Sequence, residues 1–491
     1  MQKFTLCLAA VAVVSLTSAC TAAGDDDVTR IAFISSGEDI TNDGLRLASS
    51  AQHIRAATAE GLVSIDETGA VVPAVAERWI VTEDGLSYIF RLRNSEWADG
   101  TDLTAASVRA ELRRTIRQLN GTSLGIDLAI IDDIRAMTGR VVEIRLTKPM
   151  PQFLQLLAQP ELGLRRSGQG VGPMQAQETG SGVLLTVVPP ERSGMPEIEG
   201  WEEAQRAVFV TAQTAEDATN AFEAGSVDAV FGGQIFDLPL ADTGPLSSGT
   251  VRLDAVFGLF GLAVRNERGF LASADNRGAL ALAIDRETVL QPFNIGGWVP
   301  TTRIIPPDLP DEDVVPGERW ADLSLETRQD RARARVSAWK SANGGGDLRI
   351  SLAVPEGVGS DILFDQLAAD YAAVGVELTR AGPDQPADLM LVDQIARYGD
   401  VRWFLNQFNC TVVKTLCSKE ADALVRQASS ESDPAARLEL FTDAERVLLA
   451  ENVYIPIGAP IRWSLIRGGV DGFEENRWGL HPLFPMALRP I

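Results

Sequence analysis

The sequence predicts a mixed α/β protein with more than one hydrophobic core. Three observations carry that expectation. The chain has 491 residues, more than one core usually supports, so two or three subdomains are expected. Residues 61–169 carry hairpin signals around one amphipathic helix, the pattern of a small α+β unit. The later chain alternates helix-period and strand-period runs, and 45% hydrophobic residues allow a sizeable interior.

The elements follow in order. Residues 28–35 form an apolar, strand-like run. Gly61 to Pro73 reads as two short strands around the Asp66-Glu67-Thr68-Gly69 turn. Residues 86–92 alternate as a half-buried strand does. Asp99-Gly100 is a turn, and Thr104 caps a helix whose Val108, Leu112, Ile116 and Leu119 share one face before Asn120-Gly121 ends it. Residues 141–146 are a further strand. Helices are expected at 277–290, 326–339 and 360–373, with strands at 348–354 and 376–379. Asp433 as cap and Pro434 as first helical residue open another helix.

The first residues speak for export. Lys3 precedes an apolar run, 6–16, too short to span a bilayer but suited to the core of a secretory signal peptide. Thr17, Ser18 and Ala19 lead to Cys20 and resemble a lipobox, which makes Cys20 the expected site of lipidation after removal of 1–19. Residues 20–27, ending in Asp25, Asp26 and Asp27, read as a flexible tether. No later run is long and apolar enough to cross a membrane. The net charge of −23 repels polyanions, so nucleic acid is not an expected partner.

Cys7 leaves with the signal peptide, and Cys20 takes the lipid. Cys410 and Cys417, close in sequence and in an oxidising compartment, read as a short-loop disulfide. A metal pair would need further ligands, and the only histidines, His53 and His481, stand at opposite ends of the chain. Neither metal nor cofactor is expected.

Several segments together resemble the extracellular solute-binding proteins of family 5, the oligopeptide- and dipeptide-binding type of ABC importers. Residues 60–66 read Glu-Gly-Leu-Val-Ser-Ile-Asp and 72–79 read Val-Pro-Ala-Val-Ala-Glu-Arg-Trp. Residues 84–93 read Asp-Gly-Leu-Ser-Tyr-Ile-Phe-Arg-Leu-Arg, and Trp97-Ala-Asp-Gly-Thr-Asp-Leu-Thr-Ala follows. Gly170-Val171-Gly172-Pro173, residues 221–230, 277–290 and 451–460 match further segments. The resemblance implies a two-lobed, hinge-closing periplasmic-binding-protein fold of type II with an extra subdomain inserted in the first lobe. The first lobe is then 28–60, 170–262 and 465–491, the insert 61–169 and the second lobe 263–464. Crossings between lobes fall near 262–265 and 462–465. The implied function is capture of a peptide or other small solute between the lobes, as a monomer, for permease subunits of an ABC transporter. The implied place is the cell envelope, outside the cytoplasmic membrane, held by the lipid.

In peptide-binding relatives an Asp before a Phe-Leu pair holds the ligand's ammonium. Here Arg397 falls at that place, in Ala396-Arg397-Tyr398-Gly399-Asp400-Val401-Arg402-Trp403-Phe404-Leu405. A guanidinium suits a carboxylate or phosphate instead. Arg397, Tyr398, Asp400 and Trp403 are the candidate ligand residues. A three-residue slip would leave Asp400 as an amine anchor, Arg397 can also pair with an acidic neighbour, and Trp403 can also be core. A hydrolase is the competing class. Ser337-Ala-Trp-Lys340 matches one of its motifs, but the partner motifs are missing and the Ser lies on an Arg-rich helix face. A binding-like sensor or scaffold is the third reading.

Overall fold

A computed structural model describes residues 28–241, 249–309 and 317–489, and two large β-sheets organise it. The leader, Cys20 and the tether lie outside the described residues. In the first sheet the order is Met174–Glu178, Val183–Val187, Ala207–Gln213, Val28–Ile34, Ala229–Gln234, Arg462–Ile466 and Val251–Asp254. The opening run, Val28–Ile34, is central and parallel to both neighbours. Ile31 and Phe33 enter one core and Ala32 another, so both faces are covered.

The second sheet has the order Val376–Ala381, Leu348–Ala353, Leu389–Ile395, Gly258–Val264 and Tyr454–Gly458. Gly258–Val264, Tyr454–Gly458 and Arg462–Ile466 are buried at every residue. The chain therefore passes between sheets at 255–257 and again at 459–461. Both crossings come earlier than the expected 262–265 and 462–465. Residues 258–262 belong to the second lobe and 462–464 to the first. Strands buried on both faces read as continuous apolar runs, so no period marks where one sheet ends.

The insert is an antiparallel sheet, Ala76–Val81, Ser87–Leu92, Val141–Leu146 and Ile131–Met137, covered by the helix Ala105–Gln118. Thr104 caps that helix, accepting from the Ser107 amide at 3.2 Å, and Val108 and Leu112 are buried. The helix expected at 277–290 runs instead over Ala274–Ala283. Ile284 turns extended, and the buried Arg286 donates to the Pro456 carbonyl at 2.8 Å, which redirects the chain. The Leu325–Ala342, Val358–Ala373 and Pro434–Glu451 helices stand where their signals place them.

The insert interrupts the first lobe in sequence but shares its core with the second. Leu124, Leu128 and Phe153 belong to one apolar cluster with Phe404, Phe408 and Phe441. The first lobe's Ile31, Phe33 and Phe231 form a separate one.

His53 and His481, far apart in sequence, meet inside the first lobe. The His481 amide donates to His53 Nε2 at 3.1 Å. His53 Nδ1 lies 2.7 Å from the Ser49 carbonyl, and His481 Nε2 lies 3.0 Å from Asp254 Oδ2. Those contacts use both nitrogens of His53, and it accepts with Nε2, so it is neutral. Burial, then His481, pushes its pKa down to about 3. The unfolded chain thus binds a proton that the folded chain refuses. Stability from this group is whole above about 6.5 and is lost as pH falls toward 3. Thermal unfolding from pH 7 to 4 should fall more steeply for wild type than for His53→Gln; equal slopes would contradict it.

Candidate functional site

A cleft of about 870 Å³ lies between the parts of the molecule. Asp39, Leu45 and Arg46 wall it from the first lobe, and Thr122 and Glu161 from the insert. From the second lobe come the strand bearing Leu259 and Ala263, the strand bearing Met390, Val392 and Asp393, and the 412–415 loop. Asp393 sits at the root of the cleft, its side chain 3% exposed, and accepts from Arg462 Nη1 at 2.7 Å. Arg462 directly follows the second crossing, so this ion pair ties the lobes beside the hinge.

The Cys410–Cys417 disulfide closes the loop at one edge, with a Cα–Cα distance of 5.3 Å. Val412, Val413, Lys414 and Thr415 within it face the cleft. The backbone is tied again by Asp422, which accepts from the Cys410 amide at 3.1 Å.

Of the four residues proposed from sequence, the structure brings Arg397 alone to this cleft. Its guanidinium donates to both oxygens of Glu161, at 2.7 and 2.8 Å. Glu161 belongs to the insert and is 1% exposed. Gln159 Nε2 donates to the Arg397 carbonyl at 2.8 Å, and the Gly399 amide donates to Gln155 Oε1 at 3.0 Å. The segment is stitched to the insert, and the charge of Arg397 is already matched.

Asp400 does not line the cleft. It caps the short helix Val401–Asn406, accepting from the Arg402 amide at 2.8 Å. With Arg402 it borders a separate cavity of about 390 Å³ between insert and second lobe. Tyr398 and Trp403 are fully buried. Trp403 packs edge-on against Phe404, with centroids 4.9 Å apart, so it is core and not a cleft wall. Burial also pushes the Tyr398 hydroxyl well above its usual range, with Asp127 nearby adding to it. Asp127 is itself raised to about 6 by burial, against the pull of Arg402, and Asn406 donates to it at 2.7 Å. These groups make a polar seam through the shared core. Sequence reasoning passed over Arg46 and Asp393, because a loop arginine and a strand aspartate carry no periodic mark.

Among the described residues, no group of three His, Cys, Asp or Glu side chains is placed to hold a metal ion. No helix among them is long and apolar enough to cross a membrane.

Two outcomes test this geometry. Arg397→Ala leaves the buried Glu161 carboxylate without its partner and should cost about 3 kcal/mol or more in denaturant unfolding; a change under about 1 kcal/mol would show the pair to be dispensable. Replacing Cys410 and Cys417 by Ser should cost less than about 3 kcal/mol, because the loop is short. Its main effect should be faster amide exchange across 411–416; unchanged exchange would show that Asp422 alone holds the loop.

Comparison with known proteins agrees with this architecture. The profile of the bacterial extracellular solute-binding proteins, family 5 (middle region), matches residues 70–412. The Escherichia coli "Probable deoxycholate-binding periplasmic protein YgiS" is 24% identical, over 84% of each chain. The Escherichia coli periplasmic murein peptide-binding protein MppA is 23% identical, over 85% of each. The solved structure of MppA superposes with a TM-score of 0.79 at 19% identity, covering 94% of this chain and 99% of that one. Its unliganded open form, covering 94% and 98%, scores 0.65. The relatives are binding proteins and not enzymes. The chain belongs to the bacterial extracellular solute-binding proteins of family 5.

Proposed function

We propose that this protein captures a peptide or another small solute in the interlobe cleft and delivers it to the permease subunits of an ABC importer. The observation that carries the reading is the cleft itself: first lobe, insert and second lobe all line it, beside two strand crossings. A ligand touching all three parts favours the closed arrangement over the open one, and hinge motion then couples binding to shape. Two relatives, named for murein peptide and for deoxycholate, agree with a small-solute site and differ in chemistry.

In this reading Arg397 contacts the ligand through the face that Glu161 leaves open, its side chain being 26% exposed. Tyr398, Asp400 and Trp403 support that segment from behind. The receptor acts as a monomer, outside the cytoplasmic membrane, anchored by a lipid on Cys20.

Native mass spectrometry of protein purified under non-denaturing conditions should show a bound solute. Unfolding and refolding should remove it, and adding it back should raise the melting temperature. A chain that is empty and unresponsive to host metabolite and peptide extracts would contradict the reading. Cys20→Ser should move the protein from membrane to soluble fractions; retention in the membrane would contradict the anchor.

A further inference from the structure

The cleft continues into a smaller pocket of about 540 Å³ between the first lobe and the insert. The two share Leu45, Arg46, Thr122 and Glu161. Four arginines line the smaller one: Arg46, Arg55, Arg114 and Arg165. Its carboxylates are Asp43 and Glu161. Such a concentration of cations stands out on a chain with net charge −23.

The carboxylates nearby are already engaged. Glu161 receives Arg397 on both oxygens. Asp43 receives Arg165, and Glu111 receives Arg114. Arg55 is 5% exposed, yet its nearest carboxylate oxygen, on Asp43, stands 3.9 Å away. Its single hydrogen bond among the described residues runs from Nη2 to the Gly44 carbonyl, 3.1 Å. The Arg46 side chain, at the junction of the two pockets, has no hydrogen bond or ion pair among the described residues.

A buried guanidinium whose nearest carboxylate oxygen stands 3.9 Å away is costly. Burial and then the neighbouring Arg165 push Arg55 down to about 10, against the weaker pull of Asp43 and Glu161. An oxyanion in this pocket offsets that cost, since a carboxylate or phosphate accepts the planar donor fork. Gln118 and Asn120 supply further donors on the same wall.

We propose that Arg46 and Arg55 hold an oxyanion, a carboxylate or a phosphate, at one end of a ligand whose body occupies the main cleft. The inference rests on the cleft being the solute site. It keeps the anionic ligand expected from Arg397 but moves the anchor to Arg46, whose side chain has no hydrogen bond or ion pair among the described residues, and to Arg55, whose ion pair with Asp43 is long, 3.9 Å.

The test presents the mature protein with three peptide libraries: free at the carboxyl end, amidated, and amidated but carrying one phosphoserine. Captured peptides are counted by native mass spectrometry. Wild type should take free-carboxylate or phosphoserine peptides about tenfold or more over plain amides, the scale of one charge-assisted hydrogen bond. Which of the two anionic libraries wins identifies the oxyanion. Arg46→Gln, at an exposed position that folding does not need, should erase the preference, and Arg55→Gln should do the same. Raising the salt should narrow it. Plain amides captured as well as the anionic peptides, or a preference that survives Arg46→Gln, would overturn the proposal.

If no peptide is captured, the co-purified solute decides. One with an acidic group, lost in Arg46→Gln, supports the site. One without an acidic group overturns the oxyanion pocket and leaves the receptor standing. An empty chain overturns the receptor reading and this proposal with it.

Discussion

Two short crossings, 255–257 and 459–461, constrain everything the cleft can do. Three of the four strands they join, Gly258–Val264, Tyr454–Gly458 and Arg462–Ile466, are buried along their whole length, so bending concentrates in the few residues between the sheets. Gly258 begins one of these strands where a Cβ would collide with the Gln394 carbonyl, and at Gly458 it would collide with the Trp298 ring. Backbone and ring come that close because no side chain intervenes. The Arg462–Asp393 ion pair bridges the lobes at the same place, 2.7 Å long and nearly dry. A charge pair there resists sliding while leaving rotation about the crossings available.

The insert adds a second constraint. Its core runs into that of the second lobe through Leu124, Leu128 and Phe153 against Phe404, Phe408 and Phe441. Within that apolar seam lie Asp127, Tyr398, Arg402 and Asn406, and beside it the Arg397–Glu161 pair. Buried polar groups add little net stability but penalise misplacement, because each partner left unpaired is costly. The seam therefore fixes where insert and second lobe meet, and with it the width of the cleft. Asp127, raised to about 6, is held most easily when protonated. The contribution of this group is whole below about 3.8 and is lost as pH rises through about 6, above which the carboxylate must be carried by Arg402 and Asn406.

Local signals were legible where chemistry repeats or a cap is needed. Thr104 and Asp433 each cap the helix that follows. The pairing of Cys410 with Cys417 followed from compartment and spacing and is present. The crossings were displaced by several residues because doubly buried strands have no period. The helix after Ala274 ended early because Arg286 bonds a carbonyl on a strand 170 residues away, which no local window contains. Tyr398 and Trp403 stood among the candidate ligand residues because of their neighbours in sequence, but which way a side chain turns near a short helix is set by packing. His53 and His481 looked separate because chain distance says little about space. Arg46 and Arg55 were silent for a related reason: a loop arginine and a helical arginine on an acidic chain look like ordinary surface charge.

The proposed capture requires a solute that binds between the lobes and holds them together. Hydrogen exchange, followed by mass spectrometry on the protein stripped of its solute and then reloaded, reports whether it does. Loading should slow exchange in 45–48, 258–264, 390–397 and 411–415, which come from both lobes and meet in the cleft. Protection confined to one lobe, or to segments away from these, would contradict it.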